Sequence, residues 1–206
     1  MMPATGSSRK ERERQQHRQE ILSAALELFA EKGFPGVSMQ EIAAAAEFAT
    51  GTLYNFFPSK EELFFELLVA TAEESLGIIL PALDGFEDER EKLSCFIRQH
   101  ERIIREHRKA LRLYVLESKG RCLPGPRVEA KKKEIDERIV AQLSKVIATG
   151  VSKGLINDVD PIVAAKCLSA SLESLILTAV GESPTTDVNE DLAKLEDVFF
   201  RGLVKP

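Results

Sequence analysis

Apolar residues recur at spacings of three and four along most of the chain, and no stretch alternates apolar and polar residues as a half-buried strand does. A first amphipathic helix is predicted from Gln19, and its apolar stripe comprises Ile21, Leu22, Ala25, Leu28 and Phe29. It should end at Gly33, because glycine accommodates the left-handed backbone that closes many helices. The periodicity therefore predicts an all-α protein.

Residues 38–63 predict two short helices, a tight link and the start of a third helix. Ser38 and Glu41 have the spacing of a capping box, which starts the first of them. This helix is rich in alanine, and small residues allow a second helix to cross it closely. The second helix is predicted over residues 49–56, and another capping box starts a long helix near Lys60. The arrangement is typical of a helix-turn-helix.

Small polar residues at the start of the second short helix suit contact with DNA. A reading helix presents its N-terminal end to the major groove, and here that end carries Thr50, Gly51 and Thr52. Threonine hydroxyls can bond base edges or phosphates, while glycine allows close approach. Tyr54 and Asn55 follow on adjacent faces. These residue types suit a DNA groove better than a catalytic task.

Beyond residue 80 the pattern predicts five more helices. They are expected over residues 88–107, 109–119, 128–153, 160–180 and 188–203. The last two are apolar, which suits a helix pair in a dimer interface, with a purely intramolecular core as the alternative. The lysine run 131–133 is interpreted as solvated surface rather than as a second DNA patch.

Composition and charge narrow the functional classes. The 206-residue chain is 44% hydrophobic, enough for a sizeable core, and its formal net charge of -5 argues against coating nucleic acid by bulk electrostatics. A local basic patch remains, since residues 9–18 hold five Lys/Arg, two Glu and one His. We interpret it as either a solvated helix extension or a basic arm that touches DNA, and expect residues 1–15 to form a disordered basic arm.

The sequence gives no indication of a membrane span, a metal site or a catalytic cluster. The N-terminus is polar where a signal peptide is apolar, and the apolar segment 162–180 contains Lys166 and several serines. The cysteines, Cys95, Cys122 and Cys167, are widely spaced and expected to be reduced. A soluble, cytoplasmic protein without a cofactor, a metal or enzymatic activity is therefore expected.

At residues 16–68 the sequence resembles the TetR-type (TetR/AcrR) family of bacterial transcriptional regulators. The resemblance is carried in order by IL-x-AAL-x-LFAEKGF, S-x-x-x-IA-x-x-A, GTLY and F-x-SKEEL, at residues 21–34, 38–46, 51–54 and 57–63. It implies a DNA-binding domain over residues 16–76, with the helix-turn-helix at 39–58, and a helical ligand-binding and dimerisation domain over 77–206. It also implies a homodimer formed through the last two helices.

The resemblance divides the site residues by role, because phosphate contacts fix register while base contacts specify sequence. Those expected to hold phosphates are Ser38, Tyr54 and Lys60. Those expected to face the groove are Thr50, Gly51, Thr52 and Asn55. Lys60 lies in a first helical turn, which the helix dipole disfavours for a cation; the alternative is an ordinary exposed lysine. The implied partner is double-stranded DNA with a palindromic operator.

The turn Glu47-Phe48-Ala49 departs from the Gly-Val-Ser usual in that family. A left-handed Glu47 costs about 1 kcal/mol relative to glycine. Ala49 lacks the hydroxyl that would cap the reading helix, a loss of roughly 0.5–2 kcal/mol, and we expect Thr50 to take over one residue later. The departure leaves an alternative function open, a helical interaction module with a degenerate DNA-binding head.

Polar residues beside apolar runs in the C-terminal part are candidates for an effector site. The proposed ligand-binding set is His100, Arg112, Tyr114, Phe96, Cys167 and Glu173, with Phe86 as a further wall residue. The alternative for each polar member is a satisfied core or surface position. The resemblance implies a repressor that leaves its operator when a small hydrophobic effector binds such a cavity.

Overall fold

The computed structural model describes residues 9–120, 125–181 and 187–203, and its long elements are helices. In chain order they are α1 (Arg9–Lys32), α2 (Met39–Ala45), α3 (Thr50–Phe56), α4 (Lys60–Ile79), α5 (Glu89–Gly120), α6 (Gly125–Ser152), α7 (Pro161–Ala179) and α8 (Val188–Leu203). A short 3-10 turn, Leu80–Leu83, follows α4. The predicted all-α class is confirmed.

Three helix boundaries form as the sequence predicts. Gly33 follows α1 with a φ of 72°. At the start of α2, the Ser38 hydroxyl accepts the Glu41 N–H at 3.2 Å, and the Glu41 carboxylate accepts the Ser38 N–H at 2.9 Å. At the start of α7, the Asp160 carboxylate accepts two N–H groups of the first turn, both at 2.9 Å. Local polar chemistry therefore sets these helix ends.

Two predicted segments differ from the structure. Residues 9–15, expected to be disordered, form the first turns of α1, where contacts such as Arg9–Glu13 at 2.8 Å support the helix. The two helices predicted over residues 88–107 and 109–119 form one helix, α5. A kink at His107 (φ -112°, ψ 17°) lies next to the predicted break. Cys122 lies outside the described residues.

The chain divides into two compact units after Leu68, and the domain boundary expected after residue 76 stays a prediction. The N-terminal unit has an aromatic core, in which the Phe64 ring lies 5.5 Å from that of Phe29 and 4.8 Å from that of Phe34 between centroids. Helices as short as α2 and α3 are marginal in isolation. Packing around these rings therefore determines where the two short helices lie.

The C-terminal unit has a larger apolar core, formed by α5 to α8 and the 3-10 turn. Side chains with 0% exposure include Leu93, Phe96, Ile97, Leu143 and Ile147. Burial of each such side chain stabilises the fold by about 1.5–3 kcal/mol relative to exposure. The helical periodicity of the sequence thus produces a main core in this unit, beside which lies a smaller apolar cluster of Ile104, Val115 and Val180.

One face of α7 and α8 remains uncovered. Among the described residues, α7 alone is long and apolar enough to cross a membrane, and 22% of it is buried. Core helices of soluble proteins pass the same test of length and composition. Exposed apolar side chains on this pair include Ile162, Val163, Leu177 and Val198, with Val198 at 69%. The homodimer expected through this pair, and its alternative of a purely intramolecular core, stay predictions.

The lysine run of α6 is largely ion-paired. The Lys131 ammonium lies 3.2 Å from the carboxylate of Glu73 in α4. The Lys132 ammonium lies 3.1 Å from that of Glu173 in α7. The interpretation of the run as solvated surface therefore holds for Lys133, which is exposed, and is wrong for its two half-buried neighbours.

Candidate nucleic-acid interface

Helices α2 and α3 form a helix-turn-helix that is anchored by apolar side chains. Ile42 of α2 and Leu53 of α3 are both 0% exposed, and Ala43 is 1% exposed. Each helix has seven residues. Because so few residues give a helix little stability of its own, these anchors and the neighbouring helices fix the direction of α3.

The turn between α2 and α3 has a left-handed backbone at Glu47, although its sequence lacks glycine. Glu47 has a φ of 59°, a region that costs a residue with a Cβ about 1 kcal/mol or more. The adjacent Phe48 ring packs edge-on against His17 of α1, with centroids 5.1 Å apart, and against Phe56 of α3 at 6.5 Å. This aromatic contact stabilises a turn that lacks glycine.

The start of α3 has no side-chain cap. Ala49 is the extended residue before the helix (φ -65°, ψ 140°) and offers no side-chain hydrogen bond. Thr50 is already the first helical residue. A capping side chain must project from the extended residue that precedes the helix, so the expectation that Thr50 takes over the cap is wrong.

The side chains expected to face DNA occupy accessible positions on α3. Gly51 and Asn55 are exposed, Thr50 and Thr52 are half-buried, and Tyr54 is 45% exposed. The ideal Cβ position of Gly51 has no protein atom within 4 Å. The fold itself therefore does not require glycine there, and a side chain at this position would meet only a molecule that approaches from outside.

Ser38 is engaged within the protein. Its hydroxyl donates to the Glu41 carboxylate at 2.8 Å, and the Lys32 ammonium lies 2.8 Å from the same group. The Lys32 hydrogen bond, followed by the bonds from Ser38, lowers the pKa of Glu41 to about 2. The capping role of Ser38 is confirmed. Its contact with a DNA phosphate stays a prediction. Since the hydroxyl proton is already donated to Glu41, a phosphate would have to compete with that carboxylate.

Lys60 points into the N-terminal unit. Its ammonium donates to the main-chain carbonyls of Phe34 at 2.8 Å and Val37 at 2.9 Å, and lies 4.4 Å from the centroid of the Phe34 ring. The interpretation of Lys60 as an ordinary exposed lysine is therefore wrong. A phosphate contact stays a prediction, with one ammonium proton remaining for it.

Positive charge lies beside α3 rather than on it. The sequence of α3, TGTLYNF, contains no charged residue. Lys10, Arg12 and Arg14, in the first turns of α1, are exposed. Phosphate neutralisation supplies much of the affinity of any protein for DNA, so the basic charge that could provide it here lies on α1, and the contact of the basic arm with DNA stays a prediction.

Sequence reasoning placed Arg18 in the basic segment and missed its position at the end of α3. Its guanidinium pairs with the carboxylate of Glu66 in α4, donates to the Phe56 carbonyl at 3.5 Å and lies 4.6 Å from the centroid of the Phe57 ring. One signal was available. Arg18 precedes Ile21 and Leu22 by three and four residues, so it continues the buried stripe of α1.

Known proteins share this arrangement. The family of bacterial regulatory proteins called the tetR family matches residues 21–67. The HTH-type transcriptional regulator RutR of Escherichia coli (strain K12) is 30% identical over 145 residues, which cover 68% of this chain and 65% of that protein. The match thus spans just under two thirds of the length of that relative. This chain belongs to the TetR family.

Solved structures extend the likeness of this TetR-family chain to both units. The TetR family transcriptional regulator PfmR from Thermus thermophilus superposes with a TM-score of 0.71 at 26% identity, over 90% of this chain and 99% of that one. AibR, solved in complex with isovaleryl coenzyme A and operator DNA, superposes with a TM-score of 0.66 at 24% identity, over 90% and 99%. The TetR family is one of regulatory proteins, not of enzymes.

The structure of this TetR-family chain brings two of the six ligand-site candidates, His100 and Phe96, into direct contact. His100 Nδ1 lies 2.9 Å from the Phe96 carbonyl oxygen, and the two rings meet edge-on with centroids 5.0 Å apart. His100 is 5% exposed, and this burial lowers its pKa to about 4. The imidazole is therefore neutral at pH 7, as suits a position within a core.

The other candidates lie in different surroundings. Arg112 and Cys167 are exposed, and Phe86 is 43% exposed. Tyr114 packs against a small apolar cluster that is separate from the main core, and Glu173 is paired with a lysine of α6. Their common role in an effector site stays a prediction.

Two open grooves in the C-terminal unit of this TetR-family chain are lined by other residues. The first, about 590 Å³, is lined by Glu73, Leu76, Gly77, Leu80, Pro81, Asp84, Gly85 and Arg138. The second, about 560 Å³, lies between α7 and α8 and is lined by Ala170, Ser171, Ser174, Leu175, Asp191, Lys194, Leu195 and Val198. None of the six candidates lines either groove.

Proposed function

We propose that this protein is a sequence-specific transcriptional regulator, a repressor that binds a palindromic DNA operator through α3. The observation that carries the proposal is the accessible face of α3, which is uncharged, polar and built from small residues around Gly51. A helix of this kind enters a major groove without steric hindrance. Membership of the TetR family supports the same function.

Bases are read by the polar side chains of α3 in this proposal. The amide of Asn55 can donate to N7 and accept from N6 of adenine, and the hydroxyls of Thr50 and Thr52 suit several base edges. A good base contact contributes about 1–3 kcal/mol of discrimination. The exposed Tyr54 hydroxyl is assigned to a phosphate.

Phosphates are also held by the basic first turns of α1. Lys10, Arg12 and Arg14 are exposed there, whereas α3 brings no charge of its own. Basic N-terminal segments of DNA-binding proteins reach phosphates or the minor groove next to a reading helix. Base contacts from α3 and phosphate contacts from α1 are compatible with a chain whose net charge is negative but whose basic residues are locally concentrated.

A homodimer formed through α7 and α8 supplies a second reading head, that is, a second helix-turn-helix of α2 and α3. The exposed Val198 lines the groove between the two helices, and Leu177 is a further exposed apolar residue of this pair. Burying such a face against a second copy removes apolar surface from water. Two heads related by a twofold axis then match the two halves of a palindrome.

Release from the operator is assigned to a small hydrophobic effector that binds the C-terminal unit in the cytoplasm. AibR, which has this fold, was solved with both isovaleryl coenzyme A and operator DNA. An effector shifts the equilibrium only if it binds one arrangement of the dimer better than the other. His100 and Phe96 remain the candidates that the structure brings together.

The test is selection of bound sequences from random DNA by the full chain. We expect a palindromic consensus, which Asn55→Ala relaxes at one position in each half-site. Asn189→Ala is the matched control, because Asn189 is an asparagine of α8, outside the reading head. It should leave the consensus intact. Absence of any enriched sequence would instead favour the helical interaction module.

The same selection identifies the effector class. Adding candidate hydrophobic molecules should abolish enrichment of the consensus when an effector is present. The apolar effector is contradicted if the consensus is still enriched with every hydrophobic molecule added and is lost only when a polar metabolite is added. The DNA-binding proposal would remain intact in that case.

A further inference from the structure

Beyond the buried anchor Leu53, the C-terminal end of the reading helix α3 is tied to α1 by side-chain contacts. Ala49, the residue before the helix, offers no side-chain cap, and the helix has seven residues, too few to be stable alone. At the other end, two side chains from α1 contact the helix: Arg18 meets Phe56 and Phe57, and the His17 ring lies 6.4 Å from that of Phe56 between centroids. Arg18 therefore links the C-terminal end of α3 to α1 and, through Glu66, to α4.

Arg18 makes three different contacts from one planar group. Its Nη1 donates to the Phe56 carbonyl at 3.5 Å, its Cζ lies 4.6 Å from the centroid of the Phe57 ring, and its Nη2 pairs with Glu66 of α4. A guanidinium can do this because its donors are fixed in one plane while its face stacks on a ring. The side chain is 24% exposed and that of Glu66 is 30% exposed.

The charge of Arg18 also suits its place. The C-terminal end of a helix carries a partial negative charge on its unbonded carbonyls, which favours a nearby cation. Arg14, one turn earlier on α1, is exposed. Within the basic segment, Arg14 is therefore exposed to an approaching phosphate, whereas Arg18 is occupied inside the domain.

We propose that Arg18 is a positioning residue that sets the direction of α3 in the DNA groove, with Glu66 of α4 as its partner. The proposal rests on the DNA-binding function proposed above and deepens it. It assigns to Arg18 an effect on base specificity that acts through the direction of α3 and needs no contact between Arg18 and DNA. Loss of Arg18 frees one end of α3, so base contacts lose their alignment while phosphate contacts elsewhere persist.

Three variants test this, each with operator and random DNA over a range of salt. Arg18→Gln and Glu66→Gln should each weaken operator binding at least tenfold, with random-DNA binding and the salt slope unchanged. Arg18→Lys should not restore the operator affinity, because one ammonium cannot serve a carbonyl, a ring and a carboxylate together. The matched control Arg14→Gln should weaken both DNAs equally and reduce the salt slope by about one.

Other outcomes overturn the proposal. A smaller salt slope for Arg18→Gln would make Arg18 a phosphate contact, and an equal loss on both DNAs at an unchanged slope would make it a general scaffold residue.

Hydrogen exchange of the free protein gives a readout independent of DNA. The Leu53 and Phe57 amides should exchange faster in Arg18→Gln than in wild type, with α1 unaffected. If exchange shows this change but the wild-type protein prefers no DNA sequence, the DNA-binding proposal alone is refuted.

Discussion

Lys60 holds Phe34 by two contacts, a hydrogen bond to its main-chain carbonyl at 2.8 Å and a cation–ring contact at 4.4 Å from the ring centroid. The same ammonium donates to the Val37 carbonyl at 2.9 Å. Both carbonyls belong to the loop that leads into Ser38. Lys60 therefore fixes the start of α2 to the start of α4, whatever else it contacts on DNA.

Replacing Lys60 by methionine tests this structural role. Methionine keeps most of the apolar stem but leaves the Phe34 and Val37 carbonyls without the ammonium. Since hydrogen bonds to charged groups contribute about 1.5–3 kcal/mol and Lys60 is half-buried, we expect a loss of about 2 kcal/mol in the free energy of unfolding. Urea denaturation of the two proteins measures it, and an unchanged midpoint would contradict the role.

DNA binding by the same variant decides whether Lys60 also reaches a phosphate. If it does, affinity falls for operator and random DNA alike, and the slope of log affinity against log salt falls by about one. Lys10→Met is the matched control, because Lys10 is exposed on α1 and should change the slope without changing stability. No loss with either DNA would exclude the phosphate contact.

The sequence predicted those parts of the fold that depend on local chemistry. The capping box at Ser38, the left-handed Gly33 and the proline-initiated α7 all follow from neighbouring residues. The contacts of Lys60 and Arg18 span 26 and 38 residues respectively. No local pattern specifies the partner of such a side chain, which explains why both were assigned to phosphate or to an open basic segment.

Glu47→Gly should stabilise the N-terminal unit. Glu47 has a φ of 59°, which glycine adopts without the Cβ clash, so the free energy of unfolding should rise by up to about 1 kcal/mol. Removing a carboxylate beside the reading helix should also raise affinity for random DNA. Thermal unfolding and DNA titration check the two effects.

Glu47→Gln separates strain from charge at this turn. Glutamine keeps the Cβ and so retains the strain, but it removes the negative charge. We therefore expect Glu47→Gln to raise random-DNA affinity without raising stability. A gain in stability from glutamine equal to that from glycine would show that repulsion, not backbone strain, is relieved.

The buried imidazole of His100 should make stability depend on pH. Burial lowers its pKa to about 4 in the folded protein, against about 6.5 when unfolded. The unfolded chain thus binds the proton first as pH falls, so stability that is fully present above pH 6.5 is lost progressively down to about pH 4. At about 1.4 kcal/mol per pKa unit, the loss is on the order of 3 kcal/mol.

His100→Gln isolates that contribution from those of the other histidines. Urea midpoints are measured from about two pH units above to about one below the two pKa values, roughly pH 3 to pH 8, for wild type and variant, and the difference in unfolding free energy is followed. We expect the wild type to lose stability relative to the variant from pH 7 down to pH 4, and no further below that. A constant difference across the range would show that His100 is protonated with equal ease in both states.

Val198→Glu should separate the proposed homodimer into monomers. Val198 is 69% exposed and borders the groove between α7 and α8, so a carboxylate there would be buried against a second copy without a partner, which costs several kcal/mol. Leu155→Glu is the matched control, since Leu155 is 38% exposed and lies after α6, outside the α7–α8 pair. Sedimentation velocity should show a monomer for Val198→Glu and an unchanged dimer for the control. Because a monomer presents one reading head, its affinity for a full palindrome should fall to that for a half-site; a monomeric variant that still binds the palindrome with wild-type affinity would show that the two heads act independently.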